Sequence, residues 1–118
     1  MKRSFVIVLL TCAAAMANPT KDQLIGHWRT GDQKLGDEHT FRVDGTFAGH
    51  VTEDGKVAWQ YSGKWSLVGN ILNYEYTKSS LERIPVGTTD REKLIEITKD
   101  YYIIEERDGS RDKYSRVK

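Results

Sequence analysis

The sequence predicts an all-β fold, an eight-stranded antiparallel up-and-down barrel preceded by a short N-terminal helical turn. Three observations carry that prediction. Between Val57 and Leu67, Val57, Trp59, Tyr61, Gly63, Trp65 and Leu67 alternate with Ala58, Gln60, Ser62, Lys64 and Ser66, the period of a strand with one face in a core. Tight-turn signals at Asp44-Gly45, Asp54-Gly55, Gly69-Asn70 and Asp108-Gly109 cut the chain into short runs of this kind. No segment carries a helix-period apolar stripe that would cover an open sheet, so closure is the economical solution, and it removes both exposed edges. A two-layer sandwich of the same strands is the alternative.

The chain opens with Met1-Lys2-Arg3, an apolar run from Phe5 to Ala14 and the small-x-small triplet Ala15-Met16-Ala17. This pattern reads as a secretory signal peptide over 1–17, leaving a single barrel domain over 18–118 and a periplasmic or secreted protein. An acylated Cys12 after Leu9-Leu10-Thr11 is the competing reading, weakened because Thr11 stands where Gly, Ala or Ser is wanted. The apolar run is too short to span a bilayer, and no later stretch replaces it, so no membrane span is expected. Removal of 17 of the 118 residues leaves 101 and takes away Lys2, Arg3 and the one cysteine. The remainder has 16 basic against 17 acidic residues, a balance that gives no charge-based argument for nucleic acid or anionic membrane. A domain without disulfides must be held by its core alone.

Taken in order, Thr20-Lys21-Asp22-Gln23 has the pattern of a reciprocal helix cap. Strands follow from Gly26 to Thr30 and from Asp37 to Arg42. At Val43-Asp44-Gly45, a three-residue loop with Gly45 left-handed sets Phe41 opposite Phe47; a two-residue loop would leave Phe47 outside with Arg42. The same loop at Glu53-Asp54-Gly55 is expected to set Val51 opposite Val57, Gly49 opposite Trp59 and Phe47 opposite Tyr61. Around Gly69-Asn70, Leu67 meets Leu72, Trp65 meets Tyr74 and Gly63 meets Tyr76, so every inward residue finds an apolar or aromatic partner. The stretch KSSLERIPVGTTD over 78–90 is the one long loop, a candidate mouth or lid. Beyond it, Ile97 faces Tyr102 and Ile95 faces Ile104 about a Lys99-Asp100 turn. Asp108-Gly109 then sets Tyr102 opposite Tyr114, with Arg116 on the same face.

Gly26-x-Trp28 after a helical turn, the eight-strand meander and Arg116 on the last strand together resemble the lipocalin and calycin group. Phe41-Arg42-Val43-Asp44-Gly45-Thr46-Phe47 and Gly63-Lys64-Trp65-Ser66-Leu67 are similar, more specifically, to small bacterial lipocalin-like domains found outside the cytoplasm. The resemblance implies that Trp28 closes one end of the barrel and that Arg116 packs across its ring, a contact worth about 0.5 to 2 kcal/mol. Unlike secreted lipocalins, the chain is short, lacks their disulfides and has no counterpart of their second motif, which argues against a large cavity. Avidin-like proteins share the meander, but their biotin contacts have no match here.

Few residues invite chemistry. Of the three histidines, His39 shares the inward face of Phe41 while His27 and His50 point out, so they do not converge and no metal is expected. Serines and threonines occur without a nucleophile elbow, and neighbouring carboxylates such as Glu105-Glu106 and Glu53-Asp54 point to opposite faces or sit in solvated turns. No cofactor, nucleic-acid or catalytic motif appears. What remains is the inward set: His39, Phe47, Trp59, Tyr61, Trp65, Tyr74, Tyr76, Tyr102 and Tyr114, with Phe41, Val51, Ile95, Ile97 and Ile104. These either fill a core or line a pocket, and the many phenols, each needing a partner, favour a pocket for one small ligand. The expectation is a non-catalytic extracytoplasmic binding protein for a small apolar or aromatic molecule. Its rival is an envelope protein-interaction module using the barrel as scaffold and the 78–90 loop as contact surface.

Overall fold

A computed structural model describes residues 19–118. The expected signal peptide and the Cys12 alternative lie outside the described residues. Helix α1 is Lys21–Leu24, and the strands are β1 (Gly26–Gly31), β2 (Leu35–Phe41), β3 (Thr46–Glu53), β4 (Lys56–Val68), β5 (Ile71–Ser79), β6 (Thr89–Ile97), β7 (Tyr101–Glu105) and β8 (Arg111–Arg116). Each strand pairs antiparallel with the next, and β8 returns to β1 with Trp28 opposite Arg116 and Arg29 opposite Ser115. This is the closed eight-stranded up-and-down barrel the alternation predicted, and closure rules out the sandwich. Since successive strands reverse direction, the turns after β1, β3, β5 and β7 gather at one end. The other end carries α1 and the turns after β2, β4 and β6. Among the described residues, no helix is long and apolar enough to cross a membrane.

Three hairpins have the expected register. Phe41 pairs with Phe47 about a loop in which Gly45 has φ +88°. Leu67, Trp65 and Gly63 pair with Leu72, Tyr74 and Tyr76, and Tyr102 pairs with Tyr114. In α1, the Thr20 N–H donates to Gln23 Oε1 at 2.8 Å, the backward half of the cap.

Two registers differ from the sequence reading, and each turns on a bulge. The β3–β4 connection is a two-residue turn, with Asp54 at φ +50° and Gly55 at φ +78°, the double left-handed geometry that Asp-Gly favours. Ala58 is the extra residue, bulged where the register slips between Val51 and Thr52. Val51 therefore faces Trp59, Gly49 faces Tyr61 and Phe47 faces Gly63, while Val57 stands 54% exposed instead of inward. In β6 the ladder slips between Leu94 and Glu96, so Leu94 and not Ile95 faces Ile104. Upstream of this bulge the inward residues are Leu94 and Glu92. The long loop is also shorter than expected, 80–88, and is fastened by Gly87 N–H to Tyr76 O at 2.7 Å and Ser80 N–H to Gln60 O at 3.0 Å.

Candidate functional site

The two ends of the barrel interior differ in chemistry. At the α1 end, Trp28 is fully buried and its Nε1 donates to Leu24 O at 2.9 Å. The Arg116 guanidinium carbon lies 4.1 Å from the Trp28 ring centroid. Arg116 Nε donates to Lys99 O at 2.6 Å, Nη1 to Ile25 O at 3.0 Å and Nη2 to Gln23 O at 3.0 Å. One side chain thus ties β8 to α1, to the start of β1 and to the β6–β7 turn. Gly26 sits beneath it at φ +136°, where a Cβ would overlap Nη1, so this glycine is demanded by both backbone and space. Above this plug, Phe41, Trp65, Leu72, Leu94, Tyr102 and Ile104 form a dense layer.

Towards the loop end the interior becomes polar. Asp37, two residues before His39 on β2, points inward and accepts the Tyr61 hydroxyl; its second oxygen lies 3.4 Å from the Tyr114 hydroxyl. His39 Nδ1 is 3.8 Å from Asp37 Oδ1, and its Nε2 shares a hydrogen bond of 2.6 Å with the Tyr102 hydroxyl. Opposite, Tyr74 donates to Glu92 Oε1 at 2.7 Å. At the rim, Trp59 packs on Tyr61 and Tyr76 with centroids 4.5 and 5.4 Å away, and its Nε1 donates to Ser79 Oγ at 2.9 Å.

The void among these groups is about 40 Å³, lined by Asp37, His39, Phe47, Tyr61, Tyr74, Tyr76, Glu92 and Tyr114. One water needs about 10–15 Å³, so the space takes about three waters, and a benzene-sized guest needs several times more. In this arrangement of side chains the interior is nearly filled. Six residues of the sequence-predicted binding set (His39, Phe47, Tyr61, Tyr74, Tyr76 and Tyr114) line the void together. Trp65 and Tyr102 belong to the packed layer below, and Trp59 stands at the rim. Asp37 and Glu92 are the two lining residues the sequence reading missed. Asp37 was visible at period two from His39, whereas the β6 bulge hid Glu92.

Burial first, and then the neighbouring carboxylates, joined at Tyr74 by the Tyr102 phenol ahead of Glu92, hold the Tyr61, Tyr74, Tyr76 and Tyr114 phenols well above their ordinary range, so they act as hydroxyl donors. Burial, with Glu106 and Asp90 nearby, pushes Glu92 up to about 8. His27 and His50 lie on the outer wall, His27 Nε2 3.4 Å from Glu38 Oε2 and His50 opposite Glu38 in register. Among the described residues no three His, Cys, Asp or Glu side chains are grouped as metal ligands. A larger hollow is an open trough on this outer wall, between His27, Glu38, His50 and Lys78, and His39 and Tyr61 border it as well as the inner void.

No protein-family model matches the chain, and no curated protein matches it. Solved structures do. A crystal structure of a lipocalin-like protein from Bacteroides uniformis superposes with TM-score 0.58 at 15% identity, covering 80% of this chain and 99% of that one. A protein from the same organism solved by NMR superposes with TM-score 0.59 at 14% identity, covering 87% of this chain and 96% of that one. At such identities the likeness is one of fold. With the meander closed between Trp28 and Arg116 and one short helix at the N-terminal side, the chain has a lipocalin-like β-barrel fold.

Proposed function

We propose that this protein is a non-catalytic binding protein, acting outside the cytoplasm, that takes a small amphipathic molecule into the loop end of its barrel. The observation that carries this reading is the asymmetry of the interior, packed apolar at the α1 end and lined by phenols and two carboxylates around the void at the other. The hydroxyls and carboxylates there are paired with one another, Tyr61 with Asp37 and Tyr74 with Glu92, and a guest that parts them without offering a hydrogen bond leaves each group unpaired, at about 1–3 kcal/mol. The fitting guest has an aromatic or short aliphatic body against Trp59, Tyr61 and Tyr76 and a hydrogen-bonding head towards Asp37 or Glu92. Admission requires Trp59 and Tyr76, both only partly buried, to swing at the rim. The test is tryptophan fluorescence against a panel of apolar and amphipathic molecules. Saturable 1:1 quenching by amphipathic members, lost in Trp59→Phe, supports the reading; no saturable quenching by any member removes it.

A second reading is favoured by the small void together with Leu35, Val57 and Val86, exposed at 63%, 54% and 66% around the loop end. On that reading the loop end contacts another envelope protein and the barrel is scaffold. Co-purification that Val86→Asp abolishes while the fluorescence panel stays silent would favour it.

A further inference from the structure

The β6–β7 ladder sets Lys93 opposite Glu105. The next rung towards the loop end therefore brings Glu92 against Glu106 as cross-strand neighbours, and both line one groove on the outer wall. Two carboxylates at that separation do not both ionise, so the pair holds a proton between them. Its position matters as much as its chemistry. Glu92 lines the inner void with Asp37 and Tyr74, and it also lines an outer groove with Glu106, Lys93 and Arg107. Glu92 is the residue common to both, with Glu106 beside it on the groove side, at the end of a ladder already interrupted by the bulge at Ile95.

We propose that Glu92 and Glu106 form a proton-operated gate in the barrel wall. Sharing a proton, they hold the start of β6 to the β7–β8 turn and close the void on its groove side. Once that proton leaves, the two carboxylates repel, the last rung frays, and the void opens to the outer groove. The groups that face the pair on the inner side favour keeping the proton. Tyr74 and Tyr76 approach from β5, Asp90 from β6, Tyr102 from β7, Asp108 from the β7–β8 turn, Asp112 and Tyr114 from β8, and Asp37 with His39 from β2. The cations Arg91, Lys93 and Arg107 line the groove. Burial and then these acids raise Glu92 to about 8 and move Glu106 up from its ordinary value, which sets the gate to open in mildly alkaline conditions.

The gate rests on the binding reading only for what passes through it; its titration needs no ligand. The test is a carboxyl carbon NMR titration of the unliganded protein from about pH 3 to pH 10, with amide protection factors measured at each step. The expected result is an upper carboxyl step near pH 8 on Glu92, accompanied by an about tenfold loss of protection at Lys93 and Glu105 with the same midpoint. In Glu106→Gln, whose amide can replace the shared proton as donor, Glu92 falls back towards the ordinary range and protection no longer changes above neutrality. The gate is overturned if both carboxyls titrate with ordinary midpoints, or if the upper step occurs while protection at Lys93 and Glu105 stays constant. A silent ligand panel leaves this result untouched, and a failed titration leaves the panel's outcome standing.

Discussion

Tyr61 on β4 donates its hydroxyl hydrogen to Asp37 on β2, across the intervening β3 and inside the barrel. Gly49 on β3 is what permits the crossing, since a Cβ there would meet the Tyr61 hydroxyl at 2.5 Å. The same carboxylate faces Tyr114 from β8 at 3.4 Å, so one acid joins three strands that are not all neighbours. Tyr61→Phe leaves a partly buried carboxylate oxygen without its donor and is predicted to lower stability by about 1–3 kcal/mol. Urea denaturation at neutral pH checks this, with unchanged slope showing that the fold is retained.

Arg116 is predicted to be the dominant support of the α1 end. Arg116→Ala removes a cation from the Trp28 face and leaves carbonyls of Gln23, Ile25 and Lys99 without donors, a loss of about 2–4 kcal/mol. Gly26→Ala, at φ +136° and against the same guanidinium, is predicted to cost at least about 1 kcal/mol. Thermal unfolding of both variants is the measurement, with Arg116→Lys intermediate because an ammonium cannot span three carbonyls.

The β6 bulge gives a register test. Leu94→Ala deletes a side chain 2% exposed opposite Ile104 and is predicted to cost about 2–5 kcal/mol. Ile95→Ala falls on the bulged, half-buried position and is predicted to cost less than half as much. Equal losses, or the reverse order in urea melts, would restore the simple alternation.

Stability is predicted to decline on the alkaline side of the carboxylate range. Glu92 has a folded value near 8 against 4.5 in the unfolded chain, so the native state binds the extra proton between those values. The contribution is complete below about pH 4.5 and is lost as pH rises through about 8. Glu92→Gln flattens that fall, and urea midpoints across the range measure it.

Much of this architecture is legible in the residues, and the exceptions have a common physical cause. The β4–β5 hairpin is readable because Trp65, Leu67, Leu72 and Tyr74 check one another's register. At β3–β4 the flanking residues gave no such check, since Val51 packs acceptably against either Val57 or Trp59, and an Asp-Gly pair serves two turn types. A single bulge then moved partners by two places without disturbing which β4 residues face inward beyond it. In β6 the bulge did disturb the face: Leu94 took the inward position that alternation gave to Ile95, and Glu92 followed it inward in place of Lys93. Bulges leave no clear mark on hydrophobic periodicity, and a buried carboxylate looks in sequence like any surface acid. The binding set was found through its aromatic rings; the two acids that order those rings were not.

The central claim is that the loop end of the barrel receives a guest. Native mass spectrometry of the protein purified from its own source tests it most directly, with and without Tyr76→Ala, which removes a wall of the void. The account predicts a 1:1 non-covalent small-molecule adduct on the wild type that is released on denaturation and reduced in the variant. A bare protein mass in both, with the fluorescence panel also silent, would contradict it.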